Sequence, residues 1–249
     1  MNNIIELRDI ILKHDKIDIS QYNANFLNRR LEYRSKIYGL SVQEYIDHIE
    51  RDESERKLFL KSLSINVTEF FRDKDVFDRF AELVNGYKRV NICSIGCATG
   101  EEPYTIAMIT KSLEIDCKIT AIDISYNAIR QASIARYPKI TINKIPKNML
   151  KYFDVDTKFI YIKPDIKKMV KFEVRDVFTL SLNTIYDFIF CRNMLIYFDS
   201  VKKNILIKRF HEMLKYNGYL ILGKSEILLG DISKKFTCAD LQRRIYRKV

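Results

Sequence analysis

The stretch Val90 to Met108, VNICSIGCATGEEPYTIAM, decides how the rest of the chain is placed. Val90, Ile92 and Ile95 form a short run of β-branched residues, which predicts a buried strand. Gly96 and Gly100 permit a tight backbone path. Pro103 stands where the first turn of a helix tolerates a missing N–H, and the helix continues through Ile106, Ala107 and Ile109. A strand, a glycine turn and a helix in this order put free backbone N–H groups at the carboxyl end of a sheet, the place where open α/β folds receive nucleotide-like ligands.

The spacing Gly96-x-x-x-Gly100 is neither the dinucleotide fingerprint nor a P-loop, because no Gly-Lys-Ser/Thr follows. Glu101 and Glu102 at the helix start repel phosphate. Two carboxylates beside a glycine turn suit a ligand carrying ammonium, sulfonium or hydroxyl groups, and S-adenosylmethionine carries all three. The competing reading is an ordinary strand-to-helix turn in which Glu is favoured by the helix dipole.

Working outward, Lys118 to Ile122 predicts a second strand ending at Asp123, and Ser125 starts a helix through Ala128, Ile129 and Ala132. An acidic residue at the end of the second strand of a βαβ unit can hold ribose hydroxyls. A simpler role for Asp123, capping the next helix, is one that Ser125 can already fill. Residues 139 to 171 break the alternation: Pro138, Pro146 and Pro164, many lysines and the runs KFIYIK and KMVKFEV predict a small antiparallel insertion of two or three strands. Strands follow at Phe172 to Val177, ending near Asp176, and at Tyr186 to Cys191 (YDFIFC), apolar enough for the middle of a sheet. The latter delivers Arg192, Asn193 and Tyr197 to the sheet edge. A helix from Val201 to Leu214, a turn at Tyr216-Asn217-Gly218, the strand GYLILG and a hairpin of edge strands in the tail complete the pattern.

Upstream, residues 1 to 64 read as helices only. Ile4, Leu7, Ile10 and Ile11 recur at helical spacing, a second helix ends at Gly39, and Ser41 with Glu44 makes a capping box for VQEYIDHIER. A fourth helix spans Glu53 to Leu63. Ser64 to Asp73, SINVTEFFRD, fits neither helix nor strand. Asn66 and Thr68 are turn and cap formers, and Phe70 and Phe71 stand beside Arg72. Alternatively Thr68 caps a helix over Lys74 to Asn85 and the phenylalanines enter the core.

The 249 residues suffice for one large domain or a large and a small one, and the net charge of +11 is unevenly placed. Arg136 to Lys171 holds ten Lys or Arg against three Asp, whereas residues 1–73 are close to neutral. The excess favours an acidic partner. No apolar run reaches the ~18 residues of a spanning helix, and the amino terminus lacks a signal-peptide pattern; a cytoplasmic location without membrane insertion is expected. The five cysteines, Cys93, Cys97, Cys117, Cys191 and Cys238, show no metal-type pairing and read as reduced thiols, with Cys93 and Cys97 as a weaker candidate redox pair. No metal is expected.

Taken together, SINVTEFFRD, SIGCATGEEPYTIAM, AIDISYNAI, FIFCRNMLIYFD and NGYLILGKSE resemble, in order and spacing, the CheR family of S-adenosylmethionine-dependent methyltransferases, which esterify glutamates on bacterial chemoreceptors. The resemblance covers nearly the whole chain. It implies an α/β fold: a Rossmann-like class I methyltransferase sheet (73–249) behind an N-terminal helical domain (1–72), with the small β insertion at 139–171. It further implies that Asn66, Thr68 and Arg72 cover the cofactor, that Gly96 and Glu101, less so Glu102, lie at its methionine end, and that Asp123 holds its ribose. Asp176 and Val177 match the adenine side, and Asn193 and Met194 the strand end beneath the reacting region. Two departures stand out: Asp123-Ile124-Ser125 has one carboxylate where many members have two, and Asp176 stands where some members have Asn.

A substrate glutamate with a pKa near ~4.3 is already ionised at neutral pH and needs no general base, which fits a chain whose three histidines, His14, His48 and His211, lie in no motif. Arg72 and Tyr197 are the candidate catalytic groups, orienting the substrate carboxylate. The implied partner is the cytoplasmic domain of a membrane chemoreceptor, met by Arg29, Arg30 and Arg34 and by salt-sensitive attraction from the basic 139–171 insertion. Alternatives are a receptor-binding adaptor that senses cofactor without transfer, or a methyltransferase for another substrate. Nucleic acid is disfavoured, since the basic patch lacks stacking aromatics.

Overall fold

The computed structural model describes residues 2–15, 18–20, 22–63, 68–180, 184–228 and 230–249. Two compact units divide the chain: residues 1–65 with 196–203, and residues 66–195 with 204–249.

The first unit is helical. Helices α1 (Asn2–Asp15), α2 (Ala24–Tyr38), α3 (Val42–Arg51) and α4 (Glu53–Leu63) bury Leu7, Ile11, Leu27, Leu31, Ile46, Ile49 and Phe59 in one cluster. The capping box at α3 forms as the sequence predicts: Ser41 Oγ accepts from the Glu44 N–H, and the Glu44 carboxylate accepts from the Ser41 N–H (2.8 Å). Gly39, at φ 66°, ends α2 in the left-handed region that glycine adopts without strain.

One expectation about this unit is corrected. Arg34 is not a free docking cation, because its guanidinium donates to both carboxylate oxygens of buried Glu55, at 2.6 and 2.8 Å, and to the Tyr45 hydroxyl. Tyr38 and Tyr45 also donate to Glu55. Burial pushes the Glu55 carboxyl up, but these bonds together hold it below its ordinary value. The basic surface of α2 is left to exposed Arg29 and Lys36 and to Arg30, which lies over the Phe26 ring.

The second unit contains α5 (Lys74–Val84), β1 (Arg89–Ile95), α6 (Glu101–Ser112), β2 (Asp116–Asp123), α7 (Tyr126–Ile134), β3 (Arg136–Pro138), β4 (Phe153–Val155), β5 (Phe159–Ile162), the short α8 (Pro164–Lys167), β6 (Val170–Val174), β7 (Tyr186–Cys191), β8 (Leu214–Leu222), β9 (Phe236–Asp240) and β10 (Ile245–Lys248). Helix α9 (Ser200–Met213) has its first residues in the helical unit and the rest here. Seven strands form one sheet in the order β6-β2-β1-β7-β8-β10-β9, with β6, β2, β1, β7 and β8 parallel and β10 antiparallel to its neighbours. Every residue of β7 is buried, as a largely apolar central parallel strand requires, with buried Asp187 paired to Lys215. Phe80 of α5 meets Phe188 and Phe190 of β7 edge-on, with centroids 5.2 and 5.1 Å apart.

Where the chain departs from the sequence reading, local chemistry gives the reason. KMVKFEV does not belong to the insertion; its last five residues are β6, the edge strand beside β2, which ends at Val174, short of Asp176. The small antiparallel sheet instead has the order β3-β5-β4 and begins at Arg136, its lysine-rich connection coiled into two short 3₁₀ turns at Lys139–Lys144 and Lys147–Tyr152. The turn expected at 216–218 is an irregularity within β8, with Asn217 at φ 63°. In the tail, β10 pairs with both β8 and β9, so only β9 is an edge. Cys93 and Cys97 are free, buried thiols whose pKa burial raises, to about 12 for Cys93, which disfavours the thiolate that thiol exchange requires.

Replacing Arg34 with Ala strips Glu55 of its charged partner inside the protein, which is expected to lower stability by about 3 kcal/mol, whereas Arg29→Ala should change it by less than about 0.5 kcal/mol. Urea unfolding midpoints of the two variants check this.

Candidate active site

Four adjacent parallel strands, β6, β2, β1 and β7, end along one edge of the sheet, and each delivers part of the predicted site. After β6 come Asp176 and Val177, at the end of β2 stands Asp123, after β1 comes the loop 96–100 leading into Glu101, and after β7 come Arg192, Asn193 and Met194. With neighbouring strands ~4.8 Å apart the row is about 15 Å long, the scale of a nucleoside joined to an amino acid.

Backbone bonds stitch these ends together. The N–H groups of Gly96 and Cys97 donate to the Ile122 carbonyl (2.9 and 3.0 Å), the Ala98 N–H donates to Asp123 Oδ2 (2.9 Å), and the Arg175 N–H donates to the Asp123 carbonyl (3.0 Å). Asp123 Oδ1 accepts from the Ser125 N–H, while Ser125 caps α7. Gly96 (φ 71°) and Gly100 (φ 95°) both occupy the left-handed region, and a Cβ on Gly96 would lie 3.3 Å from the Met194 sulfur. The loop after β1 and the loop after β7 therefore touch.

The two glutamates at the start of α6 have different surroundings. Glu102 is committed: Ser94 Oγ donates to Oε1 (2.8 Å) and Arg192 to Oε2 (3.2 Å). Glu101, 6 % exposed, takes one side-chain bond, from the Thr99 hydroxyl to Oε2 (2.7 Å). Among the described residues neither Glu101 nor Asp123 has an ion-pair partner. Burial raises the pKa of Glu101 to about 7 against the opposing Thr99 bond, and it raises that of Asp123 against three backbone hydrogen bonds.

Arg192 and Glu226 carry structural roles that the sequence reading did not assign. The Arg192 guanidinium donates to Glu102, to Asp73 Oδ2 (2.5 Å) and to the Arg72 carbonyl (2.9 Å), and it lies over the Phe77 ring. Glu226, 4 % exposed, accepts from the N–H groups of Asn193 (3.0 Å), Leu195 (2.7 Å) and Gly223 (2.6 Å) and so fixes the loop after β7, including Asn193 at φ 59°. The signal for Glu226 was its place in GKSE directly after an apolar strand, where an acid is out of keeping with the burial around it. Arg192 directly follows the buried strand YDFIFC and is itself buried.

The remaining predicted residues are placed as follows. Phe70 and Phe71 are core residues, the Phe71 N–H donating to Thr105 Oγ1, and they anchor the segment that bears half-buried Arg72. Thr68 is partly buried but does not cap α5; Asp73 precedes that helix at φ 57° without a side-chain cap. Asn66 lies outside the described residues. Asp176 accepts from the Phe178 N–H as a 3₁₀ cap beside buried Val177. Tyr197 is found in the helical unit, its ring 4.9 Å from that of Phe26 and its carbonyl accepting from the Asn23 N–H.

With this geometry in place, comparison with known proteins is decisive. Residues 66–245 match the family model described as CheR methyltransferase, SAM binding domain, and residues 2–64 match CheR methyltransferase, all-alpha domain. The chain belongs to the CheR methyltransferase family. It is 32% identical to a chemotaxis protein methyltransferase of Borreliella burgdorferi, over 92% of this chain and 89% of that one. It is 28% identical to chemotaxis protein methyltransferase 2 of Pseudomonas aeruginosa (89% and 85% covered) and 27% identical to a chemotaxis protein methyltransferase of Listeria monocytogenes (88% of each). As in the sequence reading, the CheR chain has an α/β methyltransferase sheet, a helical amino-terminal region and a small antiparallel sheet. No helix among the described residues is long and apolar enough to cross a membrane.

The residues at the strand edge fit S-adenosylmethionine. Among the described residues, Glu101 offers a buried carboxylate whose one side-chain partner is Thr99, Asp123 keeps lone pairs for hydroxyls, and neither has a cation paired with it. Metal-type groupings of His, Cys, Asp and Glu are absent among the described residues.

The buried Glu101 gives stability a definite pH dependence. The folded state keeps a proton up to about pH 7 that the unfolded chain releases near 4.5, so stability falls as pH rises between these values and is level above them. Glu101→Gln is expected to be more stable than the parent at pH 8, on the order of 2–3 kcal/mol, and equal to it at pH 4 or below. Denaturant midpoints across that range check the sign.

Proposed function

We propose that this CheR protein transfers a methyl group from S-adenosylmethionine to glutamate side chains of chemoreceptors, as a protein-glutamate O-methyltransferase working in chemotaxis. The observation that carries the reading is the pair of uncompensated carboxylates, Glu101 and Asp123, at a sheet edge to which no histidine is delivered. His14 and His48 belong to the helical unit, and His211 packs on Phe236 of β9.

When bound, S-adenosylmethionine supplies a methyl group on a sulfonium, which a carboxylate oxygen accepts with release of a neutral thioether. The protein's part is to bind and to position. Glu101 meets the ammonium of the methionine end, Asp123 meets the ribose hydroxyls while keeping its hold on Ala98 and Ser125, and Val177 supplies an apolar wall on the adenine side, with Asp176 at its edge. Asn193 and Met194 form the floor, held by Glu226. Glu102, already paired with Arg192 and bonded to Ser94, is the weaker partner for an ammonium. An ionised substrate glutamate requires no proton transfer, so orientation carries the rate. Arg72 is the orienting cation; burial raises the Glu102 pKa above its ordinary value, and the nearby charges of Arg192 and Arg72 oppose that rise. A weak pairing with substrate suits this role, since a strong Arg–carboxylate pair would stabilise the ground state as much as the transition state. For the receptor, Arg29 and Arg30 on α2 and, separately, the lysine-rich insertion offer positive surface to an acidic partner.

Incubation with methyl-labelled cofactor and a chemoreceptor cytoplasmic fragment tests the proposal. The expected result is label on the receptor that mild alkali releases, with Arg72→Ala reducing turnover at saturating cofactor by at least about tenfold. Alkali-stable label, or none, overturns the proposal; full turnover by Arg72→Ala overturns the role of Arg72.

A further inference from the structure

Tyr137 lies on β3 of the small sheet, is 2 % exposed, and yet donates its hydroxyl into the glycine loop, to the Thr99 carbonyl at 2.7 Å. The same Thr99 donates its side-chain hydroxyl to Glu101 Oε2 at 2.7 Å. One residue of the insertion is thus two hydrogen bonds from the carboxylate placed at the cofactor's methionine end. The contact is close enough to dictate sequence: a Cβ on Gly100 would lie 3.2 Å from the Tyr137 hydroxyl and 2.8 Å from the Ala132 side chain. The Tyr137 ring is fixed in turn, edge-on to Phe70 with centroids 4.9 Å apart, and Phe70 is edge-on to Phe153 of β4 at 5.3 Å. Lys144 of the insertion also pairs with Glu69 (3.3 Å). Phe70 and Glu69 belong to the segment that bears Arg72.

The loop has reason to need such a hold. Gly96, Ala98 and Gly100 all have positive φ, at 71°, 47° and 95°, an irregular path held by specific contacts, the Gly100 N–H to Cys97 carbonyl bond (3.0 Å) among them. Asp123 fixes one point, the Ala98 N–H; Tyr137 fixes the next, the Thr99 carbonyl. Burial and the neighbouring Glu101 charge push the Tyr137 pKa well up, so its hydroxyl stays protonated and remains a donor at any physiological pH.

We propose that Tyr137 is a positioning residue for cofactor binding: by holding the Thr99 peptide it sets the Thr99 side chain, which occupies one oxygen of Glu101 and leaves the other for the ligand. The small sheet is then part of the cofactor site as well as a basic surface. The proposal rests on the reading that Glu101 meets the cofactor, and the test separates the two.

Calorimetric titration of the full chain with S-adenosylmethionine compares the parent, Tyr137→Phe, Glu101→Gln and the double variant. Tyr137→Phe keeps the ring and its packing and is expected to weaken binding about tenfold, raising the KM for cofactor with kcat within about twofold. In the Glu101→Gln background the same change should weaken binding by no more than about twofold, because its effect travels through Glu101. Thr99→Val, which removes only the side-chain link, should repeat the loss seen with Tyr137→Phe. Parent-like binding by Tyr137→Phe, or an equal loss in both backgrounds, overturns the proposal while leaving the reading of Glu101 intact. Parent-like binding by Glu101→Gln overturns that reading and the proposal with it.

Discussion

A single buried guanidinium, Arg192, organises the candidate site. Its side chain is 3% exposed and donates to three acceptors from two parts of the sequence: Glu102 at the start of α6, and Asp73 and the Arg72 carbonyl in the segment before α5. A buried charge persists only where its partners compensate for lost hydration, and a planar guanidinium can satisfy several acceptors in fixed directions at once. That requirement fixes the position of the Arg72 segment against the strand edge. It also divides the acids of the site in two. Glu102 and Asp73 share Arg192 as a cationic partner, with Lys224 also near Asp73, whereas among the described residues Glu101 and Asp123 have no cation beside them in a desolvated place. A cationic ligand is what such a pair selects, and a phosphate is what it rejects.

The cost of that selection shows in Glu101. A carboxyl whose pKa is raised by burial destabilises the folded chain at neutral pH, and an ammonium beside it reverses the sign of the effect. Stability and cofactor affinity are therefore opposed at this one residue, as is common where a site is preorganised for a charge it has not yet met.

Much of this was legible in the sequence, because local rules dominate where elements are regular. The capping box at Ser41, the limits of α4, the run YDFIFC and the strand ending at Asp123 follow from spacing and propensity, and each is found as read. The strand-edge positions of Asp123, Glu101 and Asn193 followed from the same alternation. What escaped was pairing over long sequence distance. Arg34 looked like surface charge because its partner Glu55 lies 21 residues away on another helix. Glu102 and Glu101 are indistinguishable as a dipeptide, and only the approach of Arg192, 90 residues on, separates them. KMVKFEV reads as a short β run wherever it falls, and its membership of the large sheet depends on β2 offering an open edge. Tyr137 gave no signal at all, since a tyrosine in a short strand ordinarily serves the core.

The most direct test of the account is a crystal structure of the protein with S-adenosylhomocysteine. The account predicts the ligand's ammonium on Glu101 and its ribose hydroxyls on Asp123, with Glu102 still bonded to Ser94 and Arg192. A ligand amine bonded to Glu102, with Glu101 turned away, or a nucleoside lying off the edge formed by β6, β2, β1 and β7, would contradict it.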